Sequence, residues 1–334
     1  MRTIAVLGAG GWGTALAVHL GRIGHDVRLW GRDSALVADM AARRANAVYL
    51  PDVTLPPAVV MTDALDRALR GSDLIVSATP SHGCRAVMRS AAPHLSARAT
   101  VVSATKGLET DSLLRMSEVI AQELGPSRDV VVLSGPSFAS EVARQLPTAV
   151  LAASRRADAA ALVQEEFRGP SLRLYVSDDV TGVEIGGALK NVIAIAAGVV
   201  EGLGLGHNAL AALITRGLAE ITRLSCAVGG RRETLAGLSG LGDLVLTCTG
   251  SLSRNRHVGV ELARGRPLHE ILAATRMVPE GVRTTGAALA LGVRHGIELP
   301  IAAQMAEVLA GRSDPRAAVQ ALMVRPQRAE AERA

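Results

Sequence analysis

Only two of the 36 basic residues in this chain are lysines, Lys106 in Ala104-Thr105-Lys106-Gly107 and Lys190 in Gly186-Gly187-Ala188-Leu189-Lys190-Asn191; the rest are arginine. Where positive charge alone suffices, the sequence uses arginine. A retained lysine therefore suggests a site that needs a compact ammonium, or one whose pKa can be tuned for proton transfer. A stray lysine left by composition is equally compatible with the count. Lys190 stands in an apolar helical stretch, with Gly186, Gly187 and Ala194 on its face leaving room for a ligand or another backbone. Asn191 could orient the lysine or make a structural hydrogen bond.

A second constellation opens the chain. Gly8-Ala9-Gly10-Gly11-Trp12-Gly13 is a GxGxxG loop between an apolar strand and the helical Thr14-Ala15-Leu16-Ala17. In that context Gly8, Gly10 and Gly13 permit a tight turn, approach of backbone to a pyrophosphate, and close helix packing at an anion-attracting helix N-terminus. The reading is dinucleotide binding. At the expected distance of ~20 residues, the next strand ends Trp30-Gly31-Arg32-Asp33. Arg32 suits a 2′-phosphate and favours NADP, while Asp33 keeps NAD open. Farther on, Ser253-Arg254-Asn255 offers hydroxyl, guanidinium and amide donors suited to a phosphate, or simply a helix cap with an exposed arginine.

These groups need a frame. Short β-branched runs at Thr3–Leu7, Asp26–Trp30, Val59–Met61, Leu74–Ser77, Thr100–Ala104 and Val130–Leu133 alternate with helical stretches at Thr14–Ile23, Ser34–Ala45, Gly83–Ala91 and Ser112–Leu124. That is the pattern of a parallel sheet with crossover helices, completed by Thr148–Ala152 and Leu172–Val176. Thr79-Pro80-Ser81, Thr105-Lys106-Gly107 and Ser134-Gly135-Pro136-Ser137 then follow strand ends, the edge where open α/β sheets bind ligands. After Ser177 helical patterns take over, with Asp178-Asp179 as cap and first turn. The expected fold is α/β: a Rossmann-like doubly wound sheet over residues 1–177, an all-α substrate domain over 178–324, and a frayed tail over 325–334.

Composition narrows the function. The charge of +5 comes with only 2% aromatic residues and scattered arginines, which offers no stacking platform or basic stripe for nucleic acid. Cys84, Cys226 and Cys248 are odd in number, lack CxxC spacing and read as buried, reduced thiols of a cytoplasmic protein. No histidine pair has metal-ligand spacing, so no metal is expected. No signal peptide is expected, and the longest later apolar run, Val192–Val200, is far short of a membrane span.

The motifs GAGGWGTALA from Gly8, ATKGLE from Ala104, GPSFASEV from Gly135, LKNVIAI from Leu189, ITRGLAE from Ile214, GLGDLVLTCT from Gly240, SRNR from Ser253 and VPEG from Val278 occur in order along nearly the whole chain. In these the sequence resembles the bacterial-type NAD(P)-dependent glycerol-3-phosphate dehydrogenases. The resemblance implies reversible hydride exchange between NAD(P)H and dihydroxyacetone phosphate at C2, giving sn-glycerol 3-phosphate, a glycerophospholipid precursor. It implies Lys190 as the acid–base group. Lys106, Gly135, Ser137, Asp243, Ser253, Arg254 and Asn255 would line the substrate site. Gly11, Trp12, Arg32, Lys106, Ala139, Arg254, Val278 and Glu280 would contact the cofactor. Gly11, Ser140 and Gly286 depart from the family pattern, in which Ser, Lys and Lys are common. A phosphorylated small molecule is the expected partner, and a homodimer is left open. A hydroxy-acid dehydrogenase of similar architecture, or a dinucleotide sensor without turnover, are the competing readings.

Overall fold

The strands form because β-branched residues run without interruption through segments buried on both faces, as a sheet sandwiched by helices requires. In the computed structural model, which describes residues 1–126, 128–275, 279–327 and 329–330, ten strands appear. They are β1 (Thr3–Leu7), β2 (Asp26–Trp30), β3 (Ala45–Asn46), β4 (Leu50–Thr54), β5 (Val59–Thr62), β6 (Leu74–Ser77), β7 (Thr100–Ser103), β8 (Val130–Ser134), β9 (Thr148–Ala153) and β10 (Leu172–Ser177). Eight of them make one sheet in the order β10-β9-β8-β7-β6-β1-β2-β5. The run from β5 to β8 is parallel, and β9 pairs antiparallel with β8, so the last two strands reverse direction. The strand order reverses at β1 and β6, the switch point beside which ligands bind. One apolar core lies on each face of the sheet, and a third fills the helical layer.

Two elements differ from the sequence pattern. The second helix stops at Arg43, because Arg44 turns left-handed (φ 52°) and donates from its guanidinium to the carbonyls of Val59 (2.9 Å) and Leu55 (3.2 Å). Ala45 and Asn46 therefore begin a small hairpin with β4 rather than ending a helix. The helix expected from Ser112 starts at Met116, since Leu113 is left-handed (φ 64°) and the chain folds back to bridge Leu108 with Arg115.

The helical layer is organised by the helix Val180–Gly202. Asp179 caps it, accepting from Gly182 N at 2.8 Å, and buried residues follow on every face. Among the described residues it is the one helix long and apolar enough to cross a bilayer, and its apolar window is wholly buried within the fold. A side chain at Gly198 would collide with the Arg256 carbonyl, and one at Gly259 with the Ile195 carbonyl. These two glycines let the helix Arg254–Ala263 cross in backbone contact, which brings Asn255 onto Asn191, the neighbour of Lys190.

The sheet layer and the helical layer are joined by a buried ion pair. Glu184 accepts from Arg115 Nη1 (2.7 Å), Ser117 N (2.8 Å) and Ser117 Oγ (2.6 Å). Burial pushes the Glu184 pKa up, and Arg115 opposes that shift. Replacing Glu184 by Ala strands the Arg115 charge and should lower unfolding stability in urea by about 3 kcal/mol. A loss below about 1 kcal/mol would mean that Glu118, which also accepts from Arg115 at 2.6 Å, satisfies the guanidinium alone.

Candidate active site

The glycine loop lies at the switch point. Gly8 has φ 121°, a conformation that disfavours side chains, and a Cβ there would press on the Ala78 carbonyl at 2.7 Å. A Cβ on Gly13 would strike the Gly8 carbonyl, whereas nothing stands within 4 Å of one on Gly10. The first turn of the helix Gly11–Arg22 has no side-chain cap, so its N–H groups face an open cradle. Trp12 adds a buried indole N–H with no partner among the described residues. A Cβ built on Gly11 would meet Tyr49 O at 2.8 Å and lie 3.8 Å from the Cβ of Ala139, the first residue of the helix Ala139–Ala143 after β8. These features fit a dinucleotide pyrophosphate.

The loop is held from beneath by a residue that sequence reading missed. Asn46 of the β3–β4 hairpin is fully buried and donates to Ala9 O (2.9 Å) and Thr14 Oγ1 (2.8 Å), while its Oδ1 accepts from Tyr49 N (3.1 Å). Its signal was hidden because the expected helix ran to Ala45 and left Asn46 outside any element. Arg32 is exposed just beyond β2. Asp33 is committed elsewhere: its Oδ1 accepts from Ala35 N (3.0 Å) and Leu36 N (3.1 Å) to cap the next helix.

The two lysines converge on one carboxylate. Lys190 Nζ lies 2.8 Å from Asp243 Oδ1, and Lys106 Nζ donates to Asp243 Oδ2 at 2.6 Å. Lys190 is 6% exposed and Asp243 1%, so this pair is shielded from bulk water, while Lys106 is only partly buried. Lys190 also donates to Thr247 Oγ1 (2.6 Å), whose own hydroxyl donates to Asp243 O (2.6 Å). Thr247 was missed in the sequence, although its i+4 spacing from Asp243 on the helix Asp243–Thr249 places both on one face. Burial lowers the Lys190 pKa from 10.5 to about 8; Asp243 works against the shift and Lys106 with it. An ammonium has three donors. Each lysine has two of them engaged here, which leaves one N–H of each free for a further acceptor.

The space inferred beside Lys190 is already filled. A Cβ on Gly186 would meet Ser239 O at 2.7 Å, and one on Gly187 would meet Ser134 Oγ at 2.7 Å. These glycines bring the loop backbone and the sheet up against the Lys190 helix. Asn191 does not touch Lys190: its Oδ1 accepts from Asn255 Nδ2 at 2.9 Å.

The loop after β8 contributes backbone. Gly135 takes φ 133°, and its carbonyl accepts from both Lys106 Nζ (3.0 Å) and Ser137 Oγ (2.9 Å). Ser253 is the cap that the plainer reading foresaw, accepting from Arg256 N at 3.2 Å. Asn255 links Asn191 to Gly281, whose N–H it accepts at 2.9 Å, so only one amide hydrogen remains for a ligand. Arg254 is solvent-accessible yet closely surrounded by protein. The crowding lowers its pKa by desolvation, and Glu280 opposes it. Such a position suits the concave wall of an anion site.

Glu280 reaches across from the helical domain. Its carboxylate accepts from Ser81 N (3.1 Å) and Ser81 Oγ (2.6 Å) at the start of the helix Ser81–Ala91. Val278 lies outside the described residues. The cysteines divide: Cys84 and Cys248 are buried, and burial pushes their thiols to about 11 and about 12. Cys226 is exposed, contrary to the expectation of burial, because its helix Gly206–Ala227 turns that face to solvent.

Comparison with known proteins points the same way as this geometry. Residues 3–160 match the model of the NAD-dependent glycerol-3-phosphate dehydrogenase N-terminus, and residues 179–320 match that of its C-terminus. The chain is 55% identical to glycerol-3-phosphate dehydrogenase [NAD(P)+] of Koribacter versatilis, covering 99% of each. It is 54% identical to the Acidobacterium capsulatum protein of the same name, over 99% of this chain and 100% of that one. The crystal structure of glycerol-3-phosphate dehydrogenase from Coxiella burnetii superposes with a TM-score of 0.94 at 44% identity, covering 97% of this chain and 99% of that one.

Proposed function

We propose, from the premise that this chain belongs to the NAD-dependent glycerol-3-phosphate dehydrogenase family, a division of labour among its residues in the reaction. The chain is an NAD(P)-dependent oxidoreductase that interconverts dihydroxyacetone phosphate and sn-glycerol 3-phosphate. A nicotinamide cofactor held by the glycine loop would supply or accept the hydride exchanged at C2.

Lys190 is the proton donor in reduction. As charge develops on the C2 oxygen, the buried ammonium stabilises the alkoxide and then protonates it; in oxidation the neutral amine takes the same proton back. Asp243 sets where Lys190 and Lys106 stand, and its single negative charge offsets one of their two positive charges. Lys106, at the end of β7, offers its remaining N–H to the substrate from the opposite side. Arg254, with the last amide hydrogen of Asn255 and the helix that Ser253 caps, holds the phosphate, so that remote binding orients C2. Gly135 and Ser137 complete the wall. Gly8, Gly10, Gly11, Trp12 and Gly13 take the pyrophosphate, with Arg32, Lys106, Ala139, Arg254, Val278 and Glu280 as further cofactor contacts. NADP is favoured over NAD through Arg32, since the nearby carboxylate of Asp33 is engaged as a cap.

The observation that carries this assignment is the single buried carboxylate bridging one lysine from each layer. In the cell we place the enzyme in the cytoplasm, its product feeding glycerophospholipid assembly; reduced-thiol cysteine spacing and the chemistry of the product support that reading. The test is absorbance at the reduced-nicotinamide band after dihydroxyacetone phosphate is added. NADPH should be consumed in proportion to the ketone, and no oxidation of either NADPH or NADH would overturn the assignment.

A further inference from the structure

Three cationic or protonatable side chains meet at the cofactor edge of the sheet. Arg32 stands just beyond β2, and His82 lies in the first turn of the helix Ser81–Ala91, beyond β6. Arg283 belongs to the first turn of the helix Glu280–His295 in the other domain. The two helix starts are fastened together by the hydrogen bonds from Ser81 to Glu280, so Arg283, three residues on from Glu280, lies one turn along toward His82. Desolvation and then Arg283 disfavour a proton on His82, the Glu280 carboxylate opposes them, and Arg32 acts with Arg283.

All three side chains are exposed, and none has a hydrogen bond or ion pair among the described residues. This contrasts with Arg85, Arg115, Arg231 and Arg256, each of which is paired with a carboxylate. Two acids stand nearby: Glu280, held by Ser81, still acts on His82 through its charge, and Asp33 is spent on the helix it caps. One carboxylate among three cationic or protonatable groups leaves this edge with an excess of positive charge, and a dianion placed there is attracted by it. The ribose end of a dinucleotide lies at the tip of the second strand in this fold.

We infer that His82 and Arg283 join Arg32 in a cationic cradle for the 2′-phosphate of NADP, which makes two residues outside the glycine loop and the β2 tip determinants of cofactor choice. This deepens the cofactor reading proposed above and rests on it.

The experiment compares kcat/KM for NADPH and NADH in the full chain and in Arg283→Ala and His82→Ala. The NADPH-to-NADH ratio should fall about tenfold in the arginine variant and about threefold in the histidine variant. With 2′,5′-ADP as competitive inhibitor, Arg283→Ala should raise the inhibition constant about tenfold, with a far smaller change for ADP. Equal losses with both cofactors would assign Arg283 to the shared pyrophosphate and overturn the inference, as would an unchanged ratio. A wild-type ratio at or below one would instead overturn the NADP reading beneath it.

Discussion

Lys190→Met is expected to lower kcat for dihydroxyacetone phosphate reduction by about three orders of magnitude, near 4 kcal/mol of barrier, with cofactor affinity retained. The ammonium it removes is the group placed to neutralise and then protonate the C2 alkoxide. Methionine matches its length but supplies neither charge nor proton. Lys190→Arg separates the two contributions: arginine keeps the charge, yet its pKa is too high for it to deliver a proton efficiently near neutrality. If arginine restores turnover to near the wild-type level, Lys190 acts only as a fixed charge and the acid–base assignment fails.

The same residue sets a pH signature. Burial holds Lys190 at about 8, well below its usual 10.5. Reduction needs the ammonium, so its rate should be level at neutral pH and decline as pH rises through about 8. Oxidation needs the free amine and should rise through the same region to a plateau. The opposite signs belong to one group in two roles, and both limbs should vanish in Lys190→Met.

Much of this was legible in residue types. The glycine loop could be placed because a strand, a GxGxxG turn and a helix start form a local signal, and the local structure obeys it. The two lysines could be singled out because the chain otherwise uses arginine. What the sequence could not convey was their meeting: positions 106, 190 and 243 lie on three elements, and only the stacking of the helical layer on the sheet edge brings them to one point. Asn46 was hidden for a different reason. Arg44 is recruited by three loop carbonyls, and this tertiary contact overrides the helical pattern and creates the hairpin that carries Asn46. Asn191 is the converse case: adjacency to Lys190 suggested an orienting role, but neighbours in a helix point about 100° apart. Asn191 accordingly turns to Asn255, and Thr247, one turn beyond Asp243, orients the lysine instead.

Asp243→Asn should reveal how the pair of lysines is tuned. The substitution keeps the volume and one acceptor oxygen, yet it places an amide N–H group against one of two ammoniums that now lack a counter-charge. Asp243 is the principal group raising the Lys190 pKa, so its loss leaves desolvation and repulsion from Lys106 unopposed. The Lys190 pKa must then fall further below about 8, and the alkaline decline of the reduction rate should move down by at least one pH unit. A fall of about one to two units lowers the protonated fraction at pH 8, and with it kcat for reduction, by about five- to fiftyfold, with recovery on acidification because lower pH restores the proton donor. Stability follows by linkage. A lysine whose pKa is depressed on folding makes the folded state bind fewer protons than the unfolded chain, so stability rises with pH between its folded and unfolded values. In the wild type that window runs from about 8 to the ordinary lysine value, and in Asp243→Asn it opens at lower pH. Breaking a buried pair costs about 3–5 kcal/mol when the stranded charge cannot escape; here Lys190 can shed its proton, so the loss should be largest in acid and shrink as pH rises. Should kcat fall while the midpoint stays at about 8, Asp243 would be binding substrate rather than setting the proton affinity of Lys190.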